Sequence, residues 1–264
     1  MIPRKFHFCR FKADSNRGGK PWVYANYLCI YSTIKKHPGA EFNFYYNEEI
    51  EGKWFDLLKP HMNLIKVEAP TEIFGIPIKR VEHQADIFRM RVLLKEGGIY
   101  LDTDVFIIKP LDELLKHNFV MGVEQNMGLC NGVIFSEKES IFMKTWYESY
   151  HPDCTRDGAG FKPDGWGEMS VRFPELLAKD FKDYITILPV TAFFQPSGGD
   201  EEKLIIFESE DYWCEESYGN HLWESRTWDL FLKDMKPEDV FRKKGYFYKL
   251  VRQHFTKNEI LGNL

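Results

Sequence analysis

Short apolar runs alternate along this 264-residue chain with segments whose apolar residues recur every three or four positions. The runs are Lys5–Cys9, Phe42–Tyr46, Leu64–Glu68, Ile99–Asp102, Val105–Ile108, Phe119–Val123, Gly132–Phe135, Ile185–Leu188 and Leu204–Phe207. These runs predict β-strands. Helical spacing covers 22–37, 82–96, 138–150 and 168–182, and Pro237–Phe255 predicts one or two basic amphipathic helices. Strands that alternate with helices predict an α/β fold with a mostly parallel central sheet flanked by helices. Loops are expected at 151–167 and 195–203. No internal repeat and no Pro/Gly/Ser-rich linker divides the chain, so a single domain over 1–264 is expected.

The sharpest pattern lies in Glu82–Ile108. Ala85, Phe88 and Val92 form one helical track, and Ile87, Met90 and Leu94 an adjoining one. Gly97 and Gly98 stop the helix, as glycine does past a helix end. Ile99-Tyr100-Leu101 then forms a strand that delivers Asp102 and Asp104 to its C-terminal end, where open α/β sheets gather their ligands. Two carboxylates with one residue between them suit a hard divalent cation that keeps positions open for phosphate oxygens. Upstream, Asp86 and Arg89 share a helix face. An arginine offers fork-shaped donors to a diphosphate, and a carboxylate accepts from sugar hydroxyls. Taken alone, a D-x-D is often a solvated turn, and an i,i+3 Asp–Arg pair is often a surface ion pair.

Composition narrows the classes. Aromatic residues make up 16% of the chain, enough ring area to argue against disorder and to supply stacking surfaces. The net charge of −5 argues against a nucleic-acid partner. Five cysteines, Cys9, Cys29, Cys130, Cys154 and Cys214, lack any C-x-x-C pair and read as reduced thiols of a cytoplasmic protein. Neither an apolar leader nor a membrane-length apolar run is present in the sequence.

The stretch from Gln84 through Val105, with its A-D-x-x-R, long helix and G-G-x-Y-x-D-x-D, resembles the signature of the DXD-containing sugar-binding glycosyltransferases, glycosyltransferase family 32. It is also similar to the catalytic domain of clostridial glucosylating toxins. Ile2–Cys9 resembles that family's first nucleotide-binding strand, Asn131-Gly-Val-Ile-Phe-Ser its next block, and His221-Leu-Trp with Trp228 its C-terminal H-x-W element. The resemblance implies a GT-A-like fold, with 1–135 binding a nucleotide sugar and 136–264 forming the acceptor-binding and C-terminal part. It implies Mn²⁺, or Mg²⁺, and a UDP-sugar donor such as UDP-galactose or UDP-glucose. Arg89, Asp102 and Asp104 are then the expected catalytic residues. His7, Phe8, Cys9, Asp86, Arg89, Tyr100, Asp102, Asn131 and Trp223 are expected to bind the donor, and Asp104, Asp102 and His221 the metal. Transfer with retention to a glycan or lipid-linked saccharide in bacterial capsular or other surface polysaccharide synthesis is the implied reaction. The alternatives are transfer to a protein and a non-catalytic sugar-binding module.

Two stretches depart from the pattern. Arg10 stands where many bacterial relatives have Trp, so either base stacking moves to Phe8 or Phe11 or the loop binds the base differently. Lys162-Pro-Asp-Gly-Trp-Gly-Glu replaces a Thr-Gly-Pro element. Other candidates are Glu124 and Gln125 under the anomeric carbon, and Asp164 and Trp166 in a lid hinged at Gly158, Gly160, Gly165 and Gly167. Arg242-Lys243-Lys244 with Tyr246, Phe247 and Tyr248 is either a peripheral membrane contact at the inner membrane face or a solvated helix face packed by its rings. A phosphatase of the haloacid dehalogenase type also uses D-x-D, but after the first strand and with Thr where this chain has Phe106.

Overall fold

A computed structural model describes residues 1–12, 20–165 and 167–263. Strand β1 (Lys5–Arg10) leads through helix α1 (Tyr24–Lys36) to β2 (Glu41–Tyr46). A short α2 (Lys53–Asp56), β3 (Asn63–Lys66) and a hairpin of β4 (Glu72–Ile73) and β5 (Ile76–Pro77) precede α3 (Val81–Glu96). Strands β6 (Gly98–Leu101), β7 (Val105–Ile107), β8 (Phe119–Glu124) and β9 (Gly128–Ser136) follow. Next come α4 (Ile141–Glu148), α5 (Phe173–Asp180), β10 (Thr186–Leu188), α6 (Glu202–Glu208), β11 (Gly219–His221) and α7 (Glu224–Thr227). Helices α8 (Pro237–Arg242), α9 (Tyr246–His254) and α10 (Lys257–Leu261) end the described chain.

Seven strands form the central sheet in the order β10-β8-β9-β6-β1-β2-β3. All its ladders are parallel except those of β9, which runs antiparallel to β6 and β8. Side chains alternate across the sheet, as the period of two requires. Phe6, Phe8, Phe44, Ile99 and Leu101 enter one apolar cluster, while Cys9, Tyr45 and Tyr100 enter the other. Both faces are covered, which explains why the strands read as continuous apolar runs rather than as alternating ones.

The run Leu204–Phe207 is helical, in α6, and not a strand. Ile206 and Phe207 pack inward while Leu204 is exposed, so a four-residue run carried no usable period. The helix expected over 168–182 opens with a widened turn at Glu168–Arg172 before α5. Tyr246, Phe247 and Tyr248 are fully buried in the core, whereas Arg242, Lys243 and Lys244 are exposed. The rings are therefore spent on packing α9, and they do not form a membrane-facing surface with the basic run. Among the described residues no helix is long and apolar enough to cross a membrane.

Gly97 caps α3 in the left-handed region (φ 67°), its N–H donating to the Leu93 carbonyl at 2.8 Å. Gly98 (φ 111°) lies so close to β1 that a Cβ there would stand 2.5 Å from the Lys5 carbonyl oxygen. The paired glycines thus let the helix stop and the site-bearing strand start within one residue of each other.

Two buried histidines and one half-buried one are held neutral. In His7, Nε2 donates to the Gly97 carbonyl (2.9 Å) and Nδ1 accepts from the Tyr45 hydroxyl (3.2 Å). In His37, Nδ1 donates to the Thr33 carbonyl (2.8 Å) and Nε2 accepts from the Leu111 N–H (2.8 Å). His254 Nδ1 accepts from the Lys36 ammonium at 3.1 Å. Burial lowers all three pKa values, that of His254 to about 4 with help from Lys36 and Lys35. Each folded value lies below the ordinary 6.5, so the unfolded chain binds more protons between the two. The midpoint of thermal unfolding is expected to fall as pH drops from about 6.5 toward 4. His254→Gln should flatten that slope, and an unchanged slope would refute the assignment.

Candidate active site

The acidic pair sits where β6 ends. Asp102 N–H donates to the Gly132 carbonyl (2.8 Å), and the Asp102 carbonyl accepts from Val105 N–H (3.2 Å), closing a tight turn into β7. Strand β7 pairs antiparallel with β11, placing Val105 opposite His221. This short ladder brings residues from distant parts of the sequence against Asp104. His221 Nε2 lies 3.2 Å from Asp104 Oδ1, Glu224 N–H donates to Asp104 Oδ2 (2.7 Å), and Leu222 N–H donates to the Asp104 carbonyl (2.9 Å). Trp223, between them, takes a left-handed conformation (φ 57°), costly for a non-glycine residue, which turns the Glu224 N–H back toward Asp104. Ligand atoms of Asp102, Asp104 and His221 all lie within 4.8 Å of one another.

Arg89, 5% exposed, holds the other wall. Its guanidinium lies 3.3 Å from both Asp86 Oδ1 and Asp102 Oδ1, donates to the Asn131 carbonyl (2.7 Å) and stacks 4.4 Å over the Tyr100 ring. Asn131 Nδ2 donates to Asp86 Oδ1 (2.7 Å), Tyr100 Oη donates to Asp102 Oδ1 (3.0 Å), and Cys9 Sγ lies 3.3 Å from Tyr100 Oη. The i,i+3 pair is therefore buried and shared between two carboxylates, unlike an ordinary surface ion pair.

These groups line one cleft of about 450 Å³, within the range of small-molecule sites. Cys9, Asp86, Arg89, Tyr100, Asp102 and Asn131 line it, as do Asp104, His221 and Trp223. His7 and Phe8 do not. Phe8 points to the opposite face of β1, among the core residues, and the His7 ring is held behind Gly97. Only the C-terminal end of β1 reaches the cleft, and strand alternation sends Phe8 away from it. Phe11, edge-on to Phe88 at 5.2 Å, does line the cleft. Glu124 also faces it, whereas Gln125 and Asp164 are exposed outside it. Gly167 is part of the wall, and Trp166 lies outside the described residues. Trp228 is half-buried, with the Lys20 ammonium 5.3 Å from its ring centroid.

Sequence reasoning missed Glu224, Lys20 and Arg226. Arg10 Nη1 lies 3.1 Å from Glu224 Oε2 and Arg10 Nη2 donates to the Lys20 carbonyl (2.6 Å). Asn26 Nδ2 donates to Glu224 Oε2 (3.0 Å), and Lys20 Nζ to the Glu224 carbonyl (2.7 Å). The one available signal was adjacency, since Glu224 directly follows His221-Leu-Trp. Arg10 thus lies in the cleft wall, paired with Glu224.

Burial pushes the Asp102 carboxyl up against the pull of Arg89. Burial would push Asp104 up as well, but His221 and the Glu224 N–H hold it below the usual carboxylate range. His221 is raised by Asp104 in spite of its own burial. The Cys9 thiol is pushed up to about 12 by burial, so it is no nucleophile. All five cysteines are free.

Fold and site together are those of the GT-A fold class. The chain is similar over 99% of its length to the apo-form glycosyltransferase GlyE of Streptococcus pneumoniae TIGR4, at 14% identity and a TM-score of 0.54, covering 62% of that chain. It is similar over 99% of its length to the bifunctional glycosyltransferase WbbM, at 12% identity and a TM-score of 0.52, covering 51% of that chain. The glycosyltransferase sugar-binding region containing a DXD motif matches residues 26–121. Glucan organizing enzyme 1 of Cryptococcus neoformans var. grubii is 32% identical over 266 residues, which cover 96% of this chain and 70% of that relative. The chain belongs to the DXD-containing sugar-binding glycosyltransferase family, and it is an enzyme. Its D-x-D follows the sixth strand, which removes the phosphatase alternative.

Replacing Arg89 with Met would leave the half-buried Asp86 and Asp102 carboxylates without their cation. Urea unfolding should show a loss of about 3–5 kcal/mol, with part regained in the Arg89→Met, Asp102→Asn double variant. A loss below 1 kcal/mol would mean that the carboxylates do not depend on Arg89.

Proposed function

We propose that the chain transfers a hexose from a nucleotide-diphosphate sugar, with UDP-glucose or UDP-galactose as the first choice, to a hydroxyl of a glycan or lipid-linked saccharide, with retention of configuration. The observation that carries this reading is the convergence of Asp102, Asp104 and His221 within 4.8 Å in the cleft that also holds the Asp86–Arg89 pair. Two carboxylates and an imidazole form a donor set that Mn²⁺ accepts. Tyr100 and Arg89 fix Asp102 through Oδ1 and leave Oδ2 outside those bonds, so the residues fit a divalent cation. When bound, the cation neutralises the charge that develops on the departing diphosphate.

The rest falls to the chain's own side chains. Arg10, Lys20 and Arg226 line the cleft beside Glu224 and give that end the positive charge a diphosphate needs. Asp86, oriented by Asn131 and Arg89, accepts from hydroxyls of the donor hexose. Phe11 and Trp223 offer ring surface to the base and sugar, and Glu124 lies beneath the anomeric carbon. Asp86, Asp102 and Asp104 are each engaged by a cation or by N–H donors, which blunts them as bases. The departing diphosphate therefore takes the acceptor's proton in a same-face transfer. The name of the glucan organizing relative supports a polysaccharide acceptor over a protein one.

Asp104→Asn should lower Mn²⁺-dependent release of nucleotide diphosphate by about a hundredfold or more. Its circular dichroism and thermal midpoint should stay close to those of the unchanged chain. Full turnover in that variant, or in the presence of a chelator, would remove the metal from the reading.

A further inference from the structure

His83 lies one turn before Asp86 on α3, on the same helix face, and its ring lines the cleft. It is 5% exposed, and Nδ1 is fully buried without a hydrogen-bond partner among the described residues. Buried polar atoms almost always have partners, and His7 and His37 have both ring nitrogens satisfied. His83 is instead held by packing, edge-on to Phe161 at 5.2 Å and 80°. Beside it a recess of about 10 Å³, lined among others by Asp86, Tyr150, Phe161 and Ser170, offers room for one water-sized group. Arg10, Lys20 and Arg226 do not line this recess.

We propose that His83 is a specificity-determining residue that reads one hydroxyl of the donor hexose, with Asp86 as its partner on the next helical turn. An imidazole carries at least one N–H donor in either protonation state, so the ring supplies the bond that the carboxylate of Asp86 cannot donate. The small recess admits the hydroxyl and excludes a bulkier substituent such as an acetamido group. This rests on the glycosyl-transfer reading of the cleft, in which Asp86 faces the donor sugar.

The test is a comparison of UDP with whichever of UDP-glucose and UDP-galactose the unchanged enzyme turns over, with Mn²⁺ present. His83→Ala should lower kcat/KM for the nucleotide sugar by about tenfold or more while the Kd of UDP stays within about twofold. His83→Asn, which keeps an amide donor and acceptor in the place of the ring, should regain part of the loss. The monodeoxy donor lacking the hydroxyl that His83 reads should be a poor substrate of the unchanged enzyme, and His83→Ala should discriminate it from the full sugar much less. Unchanged kcat/KM in His83→Ala overturns the assignment. So does an equal loss for UDP and for the nucleotide sugar, or a loss that tracks a fall in thermal midpoint and is not regained in His83→Asn. An unchanged enzyme that turns over no nucleotide sugar overturns the reading of the cleft itself, and the role of His83 with it.

Discussion

The site is organised around one buried cation. Arg89 emerges from α3, passes over the Tyr100 ring of β6, and ends between Asp86, Asp102 and the Asn131 carbonyl of β9. A desolvated guanidinium is costly unless its donors are matched, and here a carboxylate, a second carboxylate, a carbonyl and a π face share the task. The same contacts let two half-buried acids face one cleft. Since Arg89 touches a helix and two strands, it also fixes the helix against the sheet at the mouth of the cleft. Asp102 in turn is aligned by Tyr100, so the charge and the orientation of that acid both trace back to the arginine.

The second constraint is the short antiparallel ladder between β7 and β11. It contributes little area but sets the position of His221 and, through the strained Trp223, of the Glu224 N–H. Asp104 is held low and His221 high by each other. Glu224 links this corner to Arg10 and Lys20, so the basic end of the cleft and the acidic triad form one connected network.

The high aromatic content divides unevenly between packing and site. Most rings fill the two clusters that cover the faces of the sheet, including the Tyr246–Tyr248 run whose composition invited a membrane role. Phe11, Tyr100 and Trp223 are rings the cleft retains. Phe8 and Phe11 looked equally suited to stack on a base, and the structure separates them: Phe8 packs into the core cluster on one face of the sheet, while Phe11, just past the end of β1, lies in the cleft wall.

From residue order alone came the α/β fold with a mostly parallel sheet, the glycine stop after α3, and the chemistry of Asp86, Arg89, Asp102 and Asp104. These are local facts: periods, caps and spacings within about 25 residues. Resemblance added His221 and Trp223, but nothing in the local pattern of Gly219–His221 marks a strand, since its residues are small or polar. The pairing of that strand with β7, the burial of Arg89, the exclusion of His7 and Phe8 from the cleft, and the unpartnered nitrogen of His83 depend on contacts between distant segments. Only the tertiary structure could decide them, because hydrogen-bond satisfaction and burial belong to the folded neighbourhood of a residue and not to its place in the chain.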